Sequence, residues 1–219
     1  MQNPPKETAL EKREAKGAKL FSPSTARNRE PIREAFLTLM PRAGKILEVG
    51  AGTGEHAACL AAALPQAQWL TGDPDAAARA SIAAWIADAA LPNLSGPHAI
   101  DVTQGEWGVE DDAPFDGLVS INMIHIAPFT AAEGLFAGAG RLLRKGGKLF
   151  LYGPFSRNGV HSAPSNEAFD ASLKSRDARW GVRDLERDLA PLAQKNSLEL
   201  EAVVEMPANN LSVAFRKIA

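Results

Sequence analysis

The stretch LEVGAGTGEHA, residues 47–57, constrains the fold more than any other part of the chain. An apolar run, KILEV at 45–49, ends in Gly50, Gly52 and Gly54 with Ala51 and Thr53 between them, and an Ala-rich segment continues to about Leu64. Glycines at this spacing let the backbone turn sharply and let a ligand approach without interference from Cβ atoms. Free amides at the start of the following helix favour a negative group on that ligand. A strand, a tight loop and a helix are therefore expected here.

The same alternation recurs downstream. QWLTG (68–72), PHAIDV (97–102), FDGLVSIN (115–122) and KLFLYG (148–153) predict strands, and helices are expected over 75–90, from Thr130 to RKGG, and near 183–195. Thr130 with Glu133 forms a capping-box pattern, and Pro31 suits the first turn of a helix within SPSTARNREPIREAFLTLMP. LELEAVVEM and LSVAFRKI flank PANN, which predicts an antiparallel pair joined by a turn. The order implies an α/β fold: a doubly wound, mostly parallel seven-stranded sheet with an antiparallel C-terminal strand. The 219 residues suit one domain over 21–219, preceded by a charged, poorly patterned segment, 1–20, expected to be a mobile arm.

Charge and cysteine usage narrow the function classes. A formal net charge of −2 provides no global basic field, which disfavours nucleic acid as a partner. No apolar run approaches the roughly 20 residues that span a bilayer, and the first twenty residues lack the apolar core of a secretory signal. The single Cys59 forms no intramolecular disulfide, suits a reducing cytoplasm, and is expected to be a small buried residue on the first helix. No His/Cys cluster has metal-ligand spacing, so no metal is expected, and no signature of covalent catalysis is present.

Acids around the glycine loop select the ligand. Glu55 occupies the position where a dinucleotide-binding loop carries Gly or Ala, so a pyrophosphate would meet a carboxylate there. Glu48 precedes the loop. Asp73, followed by Pro74, ends the second strand, where a carboxylate accepts ribose hydroxyls. Asp101 ends the third, placed to accept an adenine amino proton with Val102 against the ring. Acids without a phosphate-binding Lys or Arg suit a nucleoside that carries a cation and no phosphate. S-adenosyl-L-methionine has that chemistry, with S-adenosyl-L-homocysteine as its product. A non-catalytic protein binding the same cofactor, and an NAD(P)-dependent oxidoreductase, remain alternatives.

From these residues, with RLLRKGGKLFLYG, the chain resembles the class I S-adenosylmethionine-dependent methyltransferases, whose fold is Rossmann-like, over roughly residues 44–153. Longer stretches resemble one family of that group, methyltransferase-like protein twenty-six and its bacterial relatives. They are SPSTARNREPI (22–32), GTGEHA (52–57), NMIHIAPF (122–129), YGPF (152–155), HSAPSNEAFDASLKSRDARWGVRD (161–184) and MPANNLSVAFRK (206–217). The resemblance implies the fold and the cofactor and leaves the acceptor open; a small-molecule substrate is expected.

Further candidates lie at the expected strand ends. Asn122, Met123 and Ile124 are placed to line the cofactor, and His125 is a candidate general base, since imidazole chemistry suits neutral pH. His161 and Tyr152 are the other catalytic candidates. The stretch 152–166 is expected to form a lid, with Pro154, Phe155, Ser165 and Asn166 meeting the substrate. From the N-terminal side, Asn28 is a substrate candidate, and Arg27 or Arg29 a cation for the methionine carboxylate. His56 is placed near the cofactor tail. Asn209 and Asn210 are assigned to the turn.

Overall fold

A computed structural model describes residues 12–219. Its strands are β1 (Glu14–Lys16), β2 (Lys19–Phe21), β3 (Gly44–Val49), β4 (Ala67–Gly72), β5 (Leu94–His98), β6 (Phe115–Ile121), β7 (Leu143–Gly153), β8 (Leu198–Met206) and β9 (Asn210–Lys217). Its α-helices are α1 (Pro23–Leu39), α2 (Glu55–Ala63), α3 (Ala76–Ala89), α4 (Phe129–Leu142), α5 (Pro164–Arg176) and α6 (Ala190–Lys195). Seven strands build one sheet in the order β5-β4-β3-β6-β7-β9-β8, while β1 and β2 form a separate hairpin. The five strands from β5 to β7 are parallel, and β9 and β8 complete the sheet antiparallel. This is the doubly wound α/β fold expected from the sequence.

β3 lies at the centre because its side chains are apolar on both faces. Leu47 and Val49 join a core with Phe136 and Leu135 of α4 and Ala193 of α6. Ile46 faces the opposite core, with Phe36 of α1, Leu60 of α2 and Trp69 of β4. Strand order reverses between β3 and β6, which opens a crevice at their carboxyl ends where α/β proteins bind ligands. The glycine loop follows β3 and Asn122 follows β6, so both stand at this crevice.

Several local expectations are corrected. Residues 14–21 of the expected arm form the β1–β2 hairpin; residues 1–11 lie outside the described residues. Ser22 caps α1 and Pro23 opens it, which leaves Pro31 inside the helix. α4 starts directly after Pro128 without a side-chain cap, so Thr130 does not serve as one. The segment RKGG continues into β7. β5 runs over 94–98, earlier than expected, so Asp101 sits in a turn beyond the strand. Cys59 is only partly buried.

The stretch expected to be a lid begins instead as core. Tyr152 through Ser156 are buried. Ser156 donates its amide to the Arg183 carbonyl at 3.1 Å and accepts from Leu185 N at 3.0 Å, which ties the segment to residues 183–185. Only the turn from Arg157 to Val160 projects, closed by reciprocal amide–carbonyl bonds of 3.0 and 2.9 Å. α5 then begins at Pro164.

Candidate functional site

In the glycine loop, Gly50, Gly52 and Gly54 all have positive φ (66°, 59° and 89°), as their order in the sequence predicts. Two of them serve packing. A Cβ on Gly54 would lie 2.9 Å from the Ile82 Cα of α3, and one on Gly50 2.7 Å from Met123 Cγ. Gly52 is different, because among the described residues only Arg13 Nη2, at 3.8 Å, lies near its missing Cβ. Its face is the open side of the loop, with Ala51 and Thr53 buried on either side.

Asp73 supports that face from the tip of β4. Its Oδ2 accepts from Gly52 N and its Oδ1 from Asp75 N, each at 2.9 Å. Burial pushes its carboxyl up, while those two amides and the Arg13 charge oppose the shift. Asp73 N donates to His98 O at 3.1 Å, which joins the tips of β4 and β5. Pro74 follows, exposed at the rim. Asp101 is partly exposed. Although burial acts to raise it, bonds from Thr103 N (2.9 Å), Thr103 Oγ1 (2.7 Å) and Gln104 hold its carboxyl below the usual range. Val102 is buried beside it.

Glu48 lies under the loop, 1 % exposed, and accepts from Trp69 Nε1 at 3.1 Å. Burial pushes its pKa up to about 8, with the Trp69 bond opposing and the nearby Asp73 charge adding.

A second cluster joins four elements. Asn28 of α1 meets His56 of α2, Oδ1 to Nε2, at 3.1 Å. The Tyr152 phenol, at the tip of β7, stands beside the side chains of Asn28 and of Asn210 of β9, whose polar groups favour its ionised form against burial. Burial pushes the Tyr152 phenol up, and burial with the Arg29 charge lowers His56 to about 4, so both are neutral near pH 7. Asn166 of α5 donates to Ser162 Oγ at 2.9 Å and to Asn209 O at 2.8 Å, and Asn209 Nδ2 reaches Ser165 Oγ at 3.4 Å. Asn210 is the member that sequence reasoning missed. Its signal was present, because PANN stands among the stretches that carry the family resemblance.

The histidines separate sharply. His125 is 1 % exposed and packs edge-on against Phe155, with centroids 4.8 Å apart. Its Nδ1 accepts from Arg183 N at 3.2 Å, and a Cβ on Gly153 would lie 2.3 Å from its Nε2. Burial, reinforced by the Arg183 charge, lowers its pKa to about 3. Around it, Asn122 takes a left-handed conformation and donates to Tyr152 O at 2.8 Å, Ile124 is buried, and Pro154 is buried beyond β7. His161 instead has its Nε2 3.7 Å from Asp170 Oδ2, and its buried Nδ1 has no hydrogen-bond partner among the described residues.

Arg29 is half-exposed and lies 3.9 Å from Glu30, and its charge acts on His56 in the first turn of α2. Arg183 was not singled out by the sequence, yet it organises the NMIHIAP segment. Its Nε donates to Ile124 O at 2.9 Å, and its Nη2 to Ala127 O at 2.7 Å and Arg179 O at 3.0 Å.

Among the described residues, no group of three or more His, Cys, Asp or Glu is placed to hold a metal ion. No helix among them is long and apolar enough to cross a membrane. Two surface concavities, of about 290 Å³ beside Gln68, Asn93 and His98 and about 430 Å³ between α4 and α6, include neither the glycine loop nor Asp73. Met123 against Gly50 narrows the crevice at the tips themselves.

Solved structures with the same fold include an O-methyltransferase family protein from Burkholderia thailandensis, with TM-score 0.75, 12 % identity, and coverage of 90 % of this chain and 58 % of that one. An O-methyltransferase family 2 protein from Planctomyces limnophilus, solved with apigenin, matches at TM-score 0.72 and 16 % identity over 89 % of this chain and 60 % of its own. CalO1, a methyltransferase of calicheamicin biosynthesis with S-adenosylhomocysteine bound, matches at 0.69 and 18 % over 90 % and 54 %. This chain therefore spans little more than half the length of these structures, and at such identities the likeness shows the fold. Residues 19–217 match the profile of the family described as "Protein of unknown function (DUF938)", and the chain belongs to that family.

Proposed function

We propose that this protein is an S-adenosylmethionine-dependent methyltransferase acting on a small-molecule nucleophile. The finer kinship, with the methyltransferase-like twenty-six family, is part of the same reading. The observation that carries it is the bond from Gly52 N to Asp73 Oδ2, which backs the one open face of the glycine loop with a ribose-binding carboxylate. The residues fit the cofactor: Gly52 and Asp73 for the ribose, and Asp101 and Val102 for adenine, while Glu48, buried and protonated beneath the loop, supports the loop from inside. Glu55 argues against a dinucleotide, because its carboxylate occupies the first turn of α2.

When bound, the cofactor supplies a methyl group already activated on a sulfonium. The chain then has to align an acceptor and keep water out, worth several kcal/mol of barrier. Asn28, Tyr152 and Asn210 form the neutral hydrogen-bonding wall for that acceptor, with Asn166 and Ser165 above it. His161 takes the acceptor's proton at Nδ1, and Asp170 orients the ring through Nε2. His125 is assigned to support, since it is 1 % exposed and its ring is enclosed by Phe155 and Gly153.

Radiolabelled S-adenosylmethionine incubated with fractionated small-molecule extracts should give a labelled product and S-adenosylhomocysteine. Release of no homocysteine product, with the cofactor still bound, would favour the non-catalytic binder. NAD(P) should leave the melting temperature unchanged while S-adenosylhomocysteine raises it. His161→Ala should lower turnover about 100-fold with unchanged cofactor affinity. Equal turnover in the variant removes His161 as the base.

A further inference from the structure

Glu55 links the glycine loop to a segment outside its own strand–helix unit. Its Oε2 accepts the Ser22 amide at 2.7 Å and the Thr53 hydroxyl at 3.0 Å. The Thr53 carbonyl in turn accepts from Ser81 Oγ at 2.7 Å, and Ser81 Oγ accepts from Leu20 N at 2.8 Å. The β1–β2 hairpin and the residue after it are thus hydrogen-bonded to the loop along two routes.

α3 holds the same hairpin from its side. Trp85 Nε1 donates to Leu20 O at 3.1 Å, and Phe21 meets the Trp85 ring edge-on at 5.2 Å. The Lys19 ammonium lies 3.8 Å from the Trp85 ring centroid and 2.5 Å from Asp88 Oδ2. A two-stranded hairpin is marginal in water by itself, so this docking is what orders it. Just before β1, Arg13 Nη2 stands over the open face of Gly52, and its charge acts on Asp73.

We propose that the N-terminal hairpin completes the nucleoside pocket and that Arg13 is a binding residue closing the ribose subsite formed by Gly52 and Asp73. The inference rests on the nucleoside reading given above. Arg29 is held near Glu30, and Arg13 is a cation that reaches the loop. Its guanidinium charge acts on Asp73 together with the Asp75 and Gly52 amides, against the upward push of burial. The sugar hydroxyls would be held by the Arg13 guanidinium and the Asp73 carboxylate at the face of Gly52, and Arg13 would make no contact with the amino-acid tail.

Calorimetric titration of the full chain tests this with two ligands, S-adenosylhomocysteine and 5′-methylthioadenosine, which lacks the amino-acid tail. Arg13→Ala should weaken both by the same factor, about 10-fold, the scale of one lost charged hydrogen bond. Arg13→Lys should recover part of the loss, and the ligand-free melting temperatures should agree. Unchanged affinities overturn the proposal. So does a loss confined to S-adenosylhomocysteine, which would put Arg13 on the tail, or a lower ligand-free melting temperature with affinities intact. If the unmodified chain binds neither ligand, the nucleoside reading itself fails, independently of the Arg13 variants.

Discussion

Glu48 shows how far a single residue's role depends on its neighbours. In the sequence it is an acid at a strand end beside a ligand loop. Strand register gives it a different setting: β3 pairs with β4 so that Ile46 faces Trp69 and Glu48 faces Thr71, and the Trp69 indole reaches the carboxyl. Burial raises its pKa from 4.5 to about 8, so the folded chain keeps it protonated where the unfolded chain releases the proton. Its stabilising contribution is full below pH 4.5 and declines as pH rises to about 8. Glu48→Gln should therefore gain melting temperature relative to wild type between pH 5 and pH 8, by a few degrees per kcal/mol for a chain of this size. A difference that does not vary with pH would show that Glu48 does not titrate in this range. His125 and His161 make the same point. Both follow an expected strand end and each has one buried ring nitrogen without a hydrogen-bond partner among the described residues, but His125 is enclosed by Phe155 and Gly153 while His161 stands beside the Asp170 carboxylate.

At the scale of elements, the strands of the parallel sheet were legible because their apolar runs are local. The lid was not. YGPFS reads as a polar connector, yet residues 183–185 pair with Ser156, and the side chains of 152–156 are drawn inside. Nothing in the local pattern announces a contact with a partner so far along the chain. Arg183 belongs to this set of contacts: two bonds to carbonyls pin the segment after β6, and a third ties that segment to Arg179 beyond α5. Removing it leaves these acceptors buried and unpaired, so Arg183→Ala should cost about 3 kcal/mol, measured by urea unfolding. A cost below about 1 kcal/mol, the worth of an exposed ion pair, would mean that water replaces the guanidinium freely. The hairpin was missed for a related reason: two three-residue strands carry no periodicity, and Trp85 supplies their docking surface from α3.

Over the whole molecule, three buried titrating groups shape stability against pH. His56 and His125 sit at about 4 and about 3 in the fold, below the 6.5 of the unfolded chain, so unfolding takes up protons below pH 6.5. Stability then falls with acid, and two histidines outweigh the opposite slope of Glu48 in that range. Between pH 6.5 and 8 Glu48 carries the main shift among the described residues, and stability falls as pH rises toward 8. Urea midpoints should therefore peak near pH 6.5, and Glu48→Gln should flatten the alkaline limb alone. A midpoint that climbs steadily from pH 6 to pH 8 contradicts this assignment.

By itself the sequence determined the alternation of strand and helix, the glycine turn and the acids at the strand tips, because each depends on residues a few positions apart. Only the tertiary structure decided that Glu55 anchors the N-terminal hairpin, that Asn210 joins Asn28 and Tyr152, and that His125 is enclosed. Those outcomes depend on which side chains meet after the sheet has closed, and distant segments carry no local record of the partners they will have.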